Sequence, residues 1–152
     1  MDVEQLQYSV KFAIIFSGIY LWVGMLTGVW KYYQISQSEH ARAHYYVDIA
    51  HRSSLLYAPA TLILAVLAYF SSWPEWLNLA FVVINLIFFS FSIFSYILHG
   101  WLKDTSNQFK QPHQMGKWQL PKWILRSAMI LLVIGEIVAT GGLLFGCLYI
   151  FF

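Results

Sequence analysis

The stretch from Trp76 to Trp101, WLNLAFVVINLIFFSFSIFSYILHGW, carries no Asp, Glu, Lys or Arg. The hydrocarbon layer of a bilayer is roughly 30 Å thick and a helix rises about 1.5 Å per residue, so about 20 largely apolar residues cross it. This block is long enough and reads as a transmembrane helix. Outward from it the same character recurs. One apolar block runs from about Tyr8 to Trp30, and another lies between about Ser53 and Phe70, where the preceding residues also read as helix. A last block is opened by Pro121 and continues to Phe152. The chain of 152 residues is 59% hydrophobic and 11% charged, against roughly a quarter charged in an ordinary soluble domain. That much apolar surface has no core of matching size to fill. The expectation is an all-α integral membrane four-helix bundle, a single domain over 1–152, with spans at about 8–30, 53–70, 76–101 and 121–152.

The connections add sidedness. Trp73-Pro74-Glu75 reads as a tight turn with Pro74 at the first helical position, which makes spans two and three an antiparallel hairpin. A longer polar loop covers Lys103 to Leu120. Trp22, Trp30, Trp73, Trp101 and Trp123 fall near block ends, as interfacial aromatic belts require, and Lys11 sits where a long side chain snorkels to the headgroups. Lys31, Arg42 and Arg52 lie in the first loop and Lys103, Lys110, Lys117 and Lys122 in or beside the third. The positive-inside rule therefore puts these two loops in the cytoplasm, in a multi-pass protein of the cell (inner) membrane. Met1-Asp2-Val3-Glu4 is acidic where a secretory signal is basic, and the first block reads as a retained span. Gly24 with Gly28, and Gly142 with Gly146, have the spacing of close helix contacts, with ordinary intramembrane glycine as the alternative.

Composition also excludes. Cys147 is the only cysteine, which removes an intrachain disulfide, a CxxC pair, a thiolate zinc cage and the CxxCH haem attachment signature. The formal charge of +2 and the lack of a basic tract give no reason to expect nucleic acid. There is no G-x-S-x-G elbow, HExxH, P-loop or GxGxxG.

The chemistry-bearing residues gather at one membrane face. All five histidines, His40, His44, His51, His99 and His113, lie in or beside the first and third loops. On one helix, His40, His44 and His51 would share a narrow sector with Asp48 at its edge. Convergent neutral imidazoles can hold a metal or haem iron; an interfacial helix carrying polar residues is the plainer alternative. Asn85 and Glu136 fall inside spans, where polar groups usually face the bundle interior. Glu136 reads as a proton-handling group, a partner for a cofactor, or a helix-to-helix hydrogen bond. Ser90, Ser92 and Ser95 are expected to bond back to their own helix. Tyr96, one turn before the end of the third span, can donate a hydrogen bond to a ligand oxygen.

At Ala41-Arg42-Ala43-His44, just ahead of an apolar span, the chain resembles styrene oxide isomerase, a family of small four-span membrane enzymes. Chain length, span count, an aromatic third span containing Tyr96, and a later loop reading Asn107-Gln108-Phe109 fall in similar order, so the likeness covers most of the chain. The resemblance implies haem b, ligated by His44 and held between subunits of a homotrimer, with Arg42 and His51 counted among the cofactor-binding residues. It implies a ferric iron that acts as Lewis acid on an epoxide oxygen, ring opening and a hydride shift to an aldehyde. Tyr96 is then the catalytic tyrosine that holds the epoxide. The family has an asparagine six residues after the ligand histidine, where this chain has Ala50, with His51 next. His40 and His51 are additional histidines, and a second strong ligand would close the open iron position that Lewis-acid catalysis needs.

Three functions therefore stand side by side. The first is a haem b isomerase acting on a small hydrophobic substrate in the bilayer as a homo-oligomer. The second is a non-catalytic haem or metal carrier or electron-transfer protein, with His51 or His99 as a second axial ligand. The third is an accessory membrane protein with interfacial histidines.

Overall fold

A computed structural model describes residues 6–111 and 113–152; the acidic Met1-Asp2-Val3-Glu4 lies outside them. The elements are α1 (Tyr8–Ser36), α2 (Tyr45–Tyr69), α3 (Glu75–Leu102), β1 (His113–Met115), β2 (Trp118–Leu120) and α4 (Lys122–Phe151). Each of the four helices is long and apolar enough to cross a membrane, so the all-α four-helix architecture holds. Leu21, Trp22, Val29, Phe94, Ile137 and Phe145 are exposed, as side chains facing lipid are.

Two helices run past the expected spans. The apolar run of α1 stops at Trp30, but Lys31 and Gln34 are good helix formers, and the helix continues to Ser36. Likewise α2 begins at Tyr45 rather than near Ser53. Its polar first turns are held to α1 because Asp48 receives Lys31 at 2.5 Å, while Arg52, one turn on in α2, pairs with the same carboxylate at 2.9 Å. Pro74 caps α3 rather than occupying its first position, and Pro121 caps α4 in the same way.

Lipid gives helices no hydrophobic reason to associate, so close packing and interhelical hydrogen bonds must hold the bundle. Leu55 and the His51 ring of α2 lie where side chains on Gly24 and Gly28 of α1 would project, and Phe81 and Trp73 do the same at Gly142 and Gly146. Both glycine pairs are thus seams. The core of Tyr20, Leu64, Val82, Leu86 and Leu143 is threaded by polar contacts. Thr140 donates to Asn85 Oδ1 at 3.0 Å, joining α4 to α3. Glu75 caps the start of α1, accepting from Ser9 N and Oγ at 2.8 Å each.

The α3 serines depart from the expected back-bonding. Ser90 Oγ is 2.8 Å from the Tyr20 hydroxyl, Ser92 hydrogen-bonds the Tyr57 phenol, and Ser95 donates to Gln108 Oε1 at 3.3 Å. Where a partner stands on a neighbouring element, cross-element bonding replaces the local bond. The third loop is also more than a polar linker. β1 and β2 form an antiparallel hairpin pairing Met115 with Trp118, and Gly116, at φ +60, makes the left-handed turn between them.

Candidate functional site

The first and third loops meet at one end of the bundle. After α1 the chain turns through Ser38 and Ala41, whose N–H donates to Ser38 O at 3.0 Å. Ala41 sits at φ 51, in the left-handed region. The turn brings His44 to the N-cap of α2 in extended conformation. Its backbone N–H donates to Gln34 Oε1 at 2.8 Å. Its Nδ1 faces the Tyr46 N–H at 3.4 Å, a long capping contact, and Nε2 has no hydrogen-bond partner among the described residues. Burial, aided by the positive charge of Lys103 and opposed by Asp104, holds the imidazole below its ordinary pKa. His44 is therefore neutral at pH 7 and keeps a lone pair for a metal.

This geometry corrects the expected stripe of imidazoles. His40 lies in the turn and His44 at the cap, so neither shares a helix with His51. The left-handed Ala41 cuts His40 off from α2, and His44 stands at the cap rather than within the helix. His51 stands about 10 Å further along α2 from the residue count, packs over Gly28 and has Nδ1 2.7 Å from Gly24 O. Arg42 is exposed in the turn, its N–H 3.4 Å from Ser38 Oγ. Of the sequence-derived residues, Arg42 is near His44 in the chain but makes no side-chain contact with it among the described residues, His51 stands apart, and Tyr96 joins through an intermediary.

That intermediary is Tyr46, which the sequence did not single out. Its ring contacts His44 (6.3 Å between centroids), Tyr96 (6.1 Å) and His99 (5.1 Å). Its hydroxyl accepts from Gln108 N at 2.5 Å, tying the Asn107-Gln108-Phe109 loop to α2. Placement two residues after His44 is the sole sequence signal that could have marked it.

Tyr96 and His99 also line a cavity of about 360 Å³ between α3, α4 and the third loop, within the size range of small-molecule sites. Its walls are largely apolar, with Tyr57, Ser95 and Gln108 among the polar groups. Phe91 and Phe94 line it and are exposed on the outer side of α3, so it adjoins the lipid face. At its loop end His99 Nδ1 is 2.8 Å from Asp104 Oδ1, and Asp104 Oδ2 accepts from Gly116 N at 2.6 Å. Both side chains of the pair are buried. Burial alone would raise the Asp104 carboxyl, but the Gly116 N–H and His99 together hold it below its ordinary value. His113 Nδ1 lies 3.1 Å from Gln108 O. Further along α4, the buried Glu136 Oε1 has no partner among the described residues.

No cluster of three or more His, Cys, Asp or Glu side chains suited to a bare metal ion occurs among the described residues. Compared with known protein families, curated proteins and solved structures, the chain matches none.

Proposed function

We propose that this protein is a haem b-dependent membrane enzyme of the styrene oxide isomerase type, with His44 as axial ligand and a small hydrophobic epoxide as substrate. One observation carries the reading. A neutral, half-exposed imidazole stands at a helix cap, and a single row of rings joins it to Tyr96 at the rim of an apolar cavity.

The donor set fits haem. A porphyrin brings four nitrogen donors of its own and asks the protein for one, which His44 can supply through Nε2. A bare ion would need the cluster that the described residues do not contain. Ligation through Nε2 places the ring proton on Nδ1, so the long contact to Tyr46 N would be given up. Arg42, exposed beside His44, is positioned to meet a propionate. His44 lies at the bundle surface, so lipid or a second copy of the chain would cover the cofactor's outer face. We therefore favour a homo-oligomer, a trimer by the resemblance, and place the first and third loops on the cytoplasmic side of the cell membrane.

The ferric haem would supply an electron-accepting position for the epoxide oxygen. The chain's own residues do the rest. The Tyr96 phenol donates a hydrogen bond to that oxygen, and the apolar walls exclude water that would otherwise open the ring to a diol. Cleavage of one C–O bond and a hydride shift between adjacent carbons conserve atoms and electrons, so no cosubstrate is consumed. Ala50 is fully buried in the helix packing, so the asparagine contact of the family is absent and Tyr96 acts without it.

A non-catalytic haem or electron-transfer protein calls for a second axial ligand. His51 stands two turns from His44, and with Nδ1 at Gly24 O its Nε2 is the nitrogen such a ligand would use. An absorbance spectrum of protein expressed with ample haem decides. A high-spin ferric form that converts epoxide to aldehyde supports the proposal. A six-coordinate low-spin spectrum supports the carrier, and the lack of any Soret band, or of stoichiometric iron, leaves the accessory reading.

A further inference from the structure

We propose that the cavity between α3 and α4 is a binding site for a small apolar alcohol, whose hydroxyl is received by His99 Nε2 and whose hydrocarbon body fills the apolar walls.

The chemistry follows from where the protons sit. Asp104 Oδ2 is occupied by the Gly116 N–H at 2.6 Å, which leaves Oδ1 facing His99 Nδ1 at 2.8 Å. A carboxylate only accepts, so Nδ1 carries the proton, and the neutral tautomer with that proton has its lone pair on Nε2. With Nδ1 committed, Nε2 is the atom left for the cavity that His99 lines. It has no hydrogen-bond partner among the described residues. An acceptor that opens onto an apolar cavity selects a donor, and a ligand hydroxyl supplies one. The Asp104 carboxylate behind the ring disfavours an anion at the same place. Tyr96 is on the same wall and can donate to the hydroxyl oxygen, giving the ligand one donor and one acceptor to meet. Exposed Phe91 and Phe94 at the outer wall suit entry from the lipid.

A structural role, in which the His99–Asp104 pair only pins the hairpin to the end of α3, would give the cavity no preference among polar groups. The haem reading shares Tyr96 with this proposal but is not required by it, because the measurement is binding rather than turnover. The Soret band recorded on the same samples reports haem separately.

The test titrates the purified full-length protein at pH 9, well above the ordinary imidazole range. Three probes of one shape are used, 2-naphthalenemethanol, 2-naphthaldehyde and naphthalene, with calorimetry corrected by empty micelles. The alcohol is expected to bind about tenfold more tightly than the hydrocarbon, the ratio for one satisfied buried hydrogen bond, and more tightly than the aldehyde. In His99→Ala the advantage over naphthalene disappears while naphthalene still binds, which also reports that the cavity is intact. Asp104→Asn is the sharper variant. Its amide oxygen keeps the Gly116 N–H and its NH2 group faces His99 Nδ1, moving the ring proton to Nε2. The advantage of the alcohol over the aldehyde should then vanish, because both oxygens accept from Nε2–H. Equal binding of alcohol and naphthalene by the wild-type protein, or no binding of either, overturns the proposal. So does an alcohol preference over naphthalene that survives His99→Ala. If the variants fail to fold, the wild-type ratio of the three probes decides alone.

Discussion

His44 is held in place through its backbone, by Gln34 and by the turn at Ala41, more than by its own side chain. Replacing it should therefore remove a ligand without dismantling the bundle. His44→Ala is expected to lose the Soret band of haem-loaded protein, with its thermal midpoint shifted little, whereas His113→Ala keeps the band. The pH dependence has a definite sign. Because burial lowers the His44 pKa, the imidazole protonates at a lower pH than a free one, whose ordinary value is 6.5. Haem content followed by absorbance should fall as pH drops, with a midpoint below that ordinary value. Asp104 works in the opposite chemical sense. Its folded-state pKa is depressed by Gly116 and His99, so its contribution is complete above the ordinary carboxyl value and is lost as pH falls through the depressed one. Asp104→Ala leaves His99 and the Gly116 N–H unpaired and should cost about 2–4 kcal/mol at neutral pH, read from thermal or denaturant unfolding in detergent.

The helix pairs carry their own consequences. The α1–α2 seam depends on the absence of side chains at Gly24 and Gly28, where Leu55 and His51 occupy the space. Gly24→Val should destabilise the protein by about 1–3 kcal/mol, since the Leu55 backbone N as well as its side chain lies near the new atoms. A substitution at Gly18, which faces open space, is the control in the same unfolding measurement. The spacing marked both glycine pairs as candidate seams beside ordinary intramembrane glycine, and the packed neighbours decided between the two. The partners of the α3 serines were not legible in the sequence. Whether Ser90 bonds its own helix or Tyr20 depends on the rotation of α1, which no local pattern encodes. The extra turns of α1 and α2 were hidden for a related reason. Lys31 and Asp48 look like loop residues until they are seen to pair.

At the scale of the molecule, the bundle gathers its two long loops at one end, with Gln108 of the third bonded to Tyr46 beside the first. The short Ser71–Pro74 connection lies at the other end of α2 and α3. A topology experiment follows. In a Cys147→Ser background, which removes the one native and buried thiol, Lys110→Cys should be blocked only by a reagent that reaches the cytoplasm. Ser72→Cys should be blocked by an impermeant reagent added to intact cells. The reverse pattern would invert the orientation while leaving the fold untouched.

Legible along the chain alone are the number of spans and the gathering of histidines in or beside two loops. Crossing a bilayer requires an unbroken apolar run, and such a run is a one-dimensional property readable in order along the chain. The tertiary structure decided how the histidines are distributed. One left-handed residue, Ala41, separates His40 from the helix that His44 caps. Asp104 follows the left-handed Lys103 and so turns back to His99, and the β1–β2 hairpin folds over to give its other oxygen the Gly116 N–H. Tyr46 joins His44 to Tyr96 only when α2 and α3 are packed together. Hydrogen bonds and ring contacts between distant segments depend on ångström placement of packed helices, and the spacing of residues along the chain does not contain it.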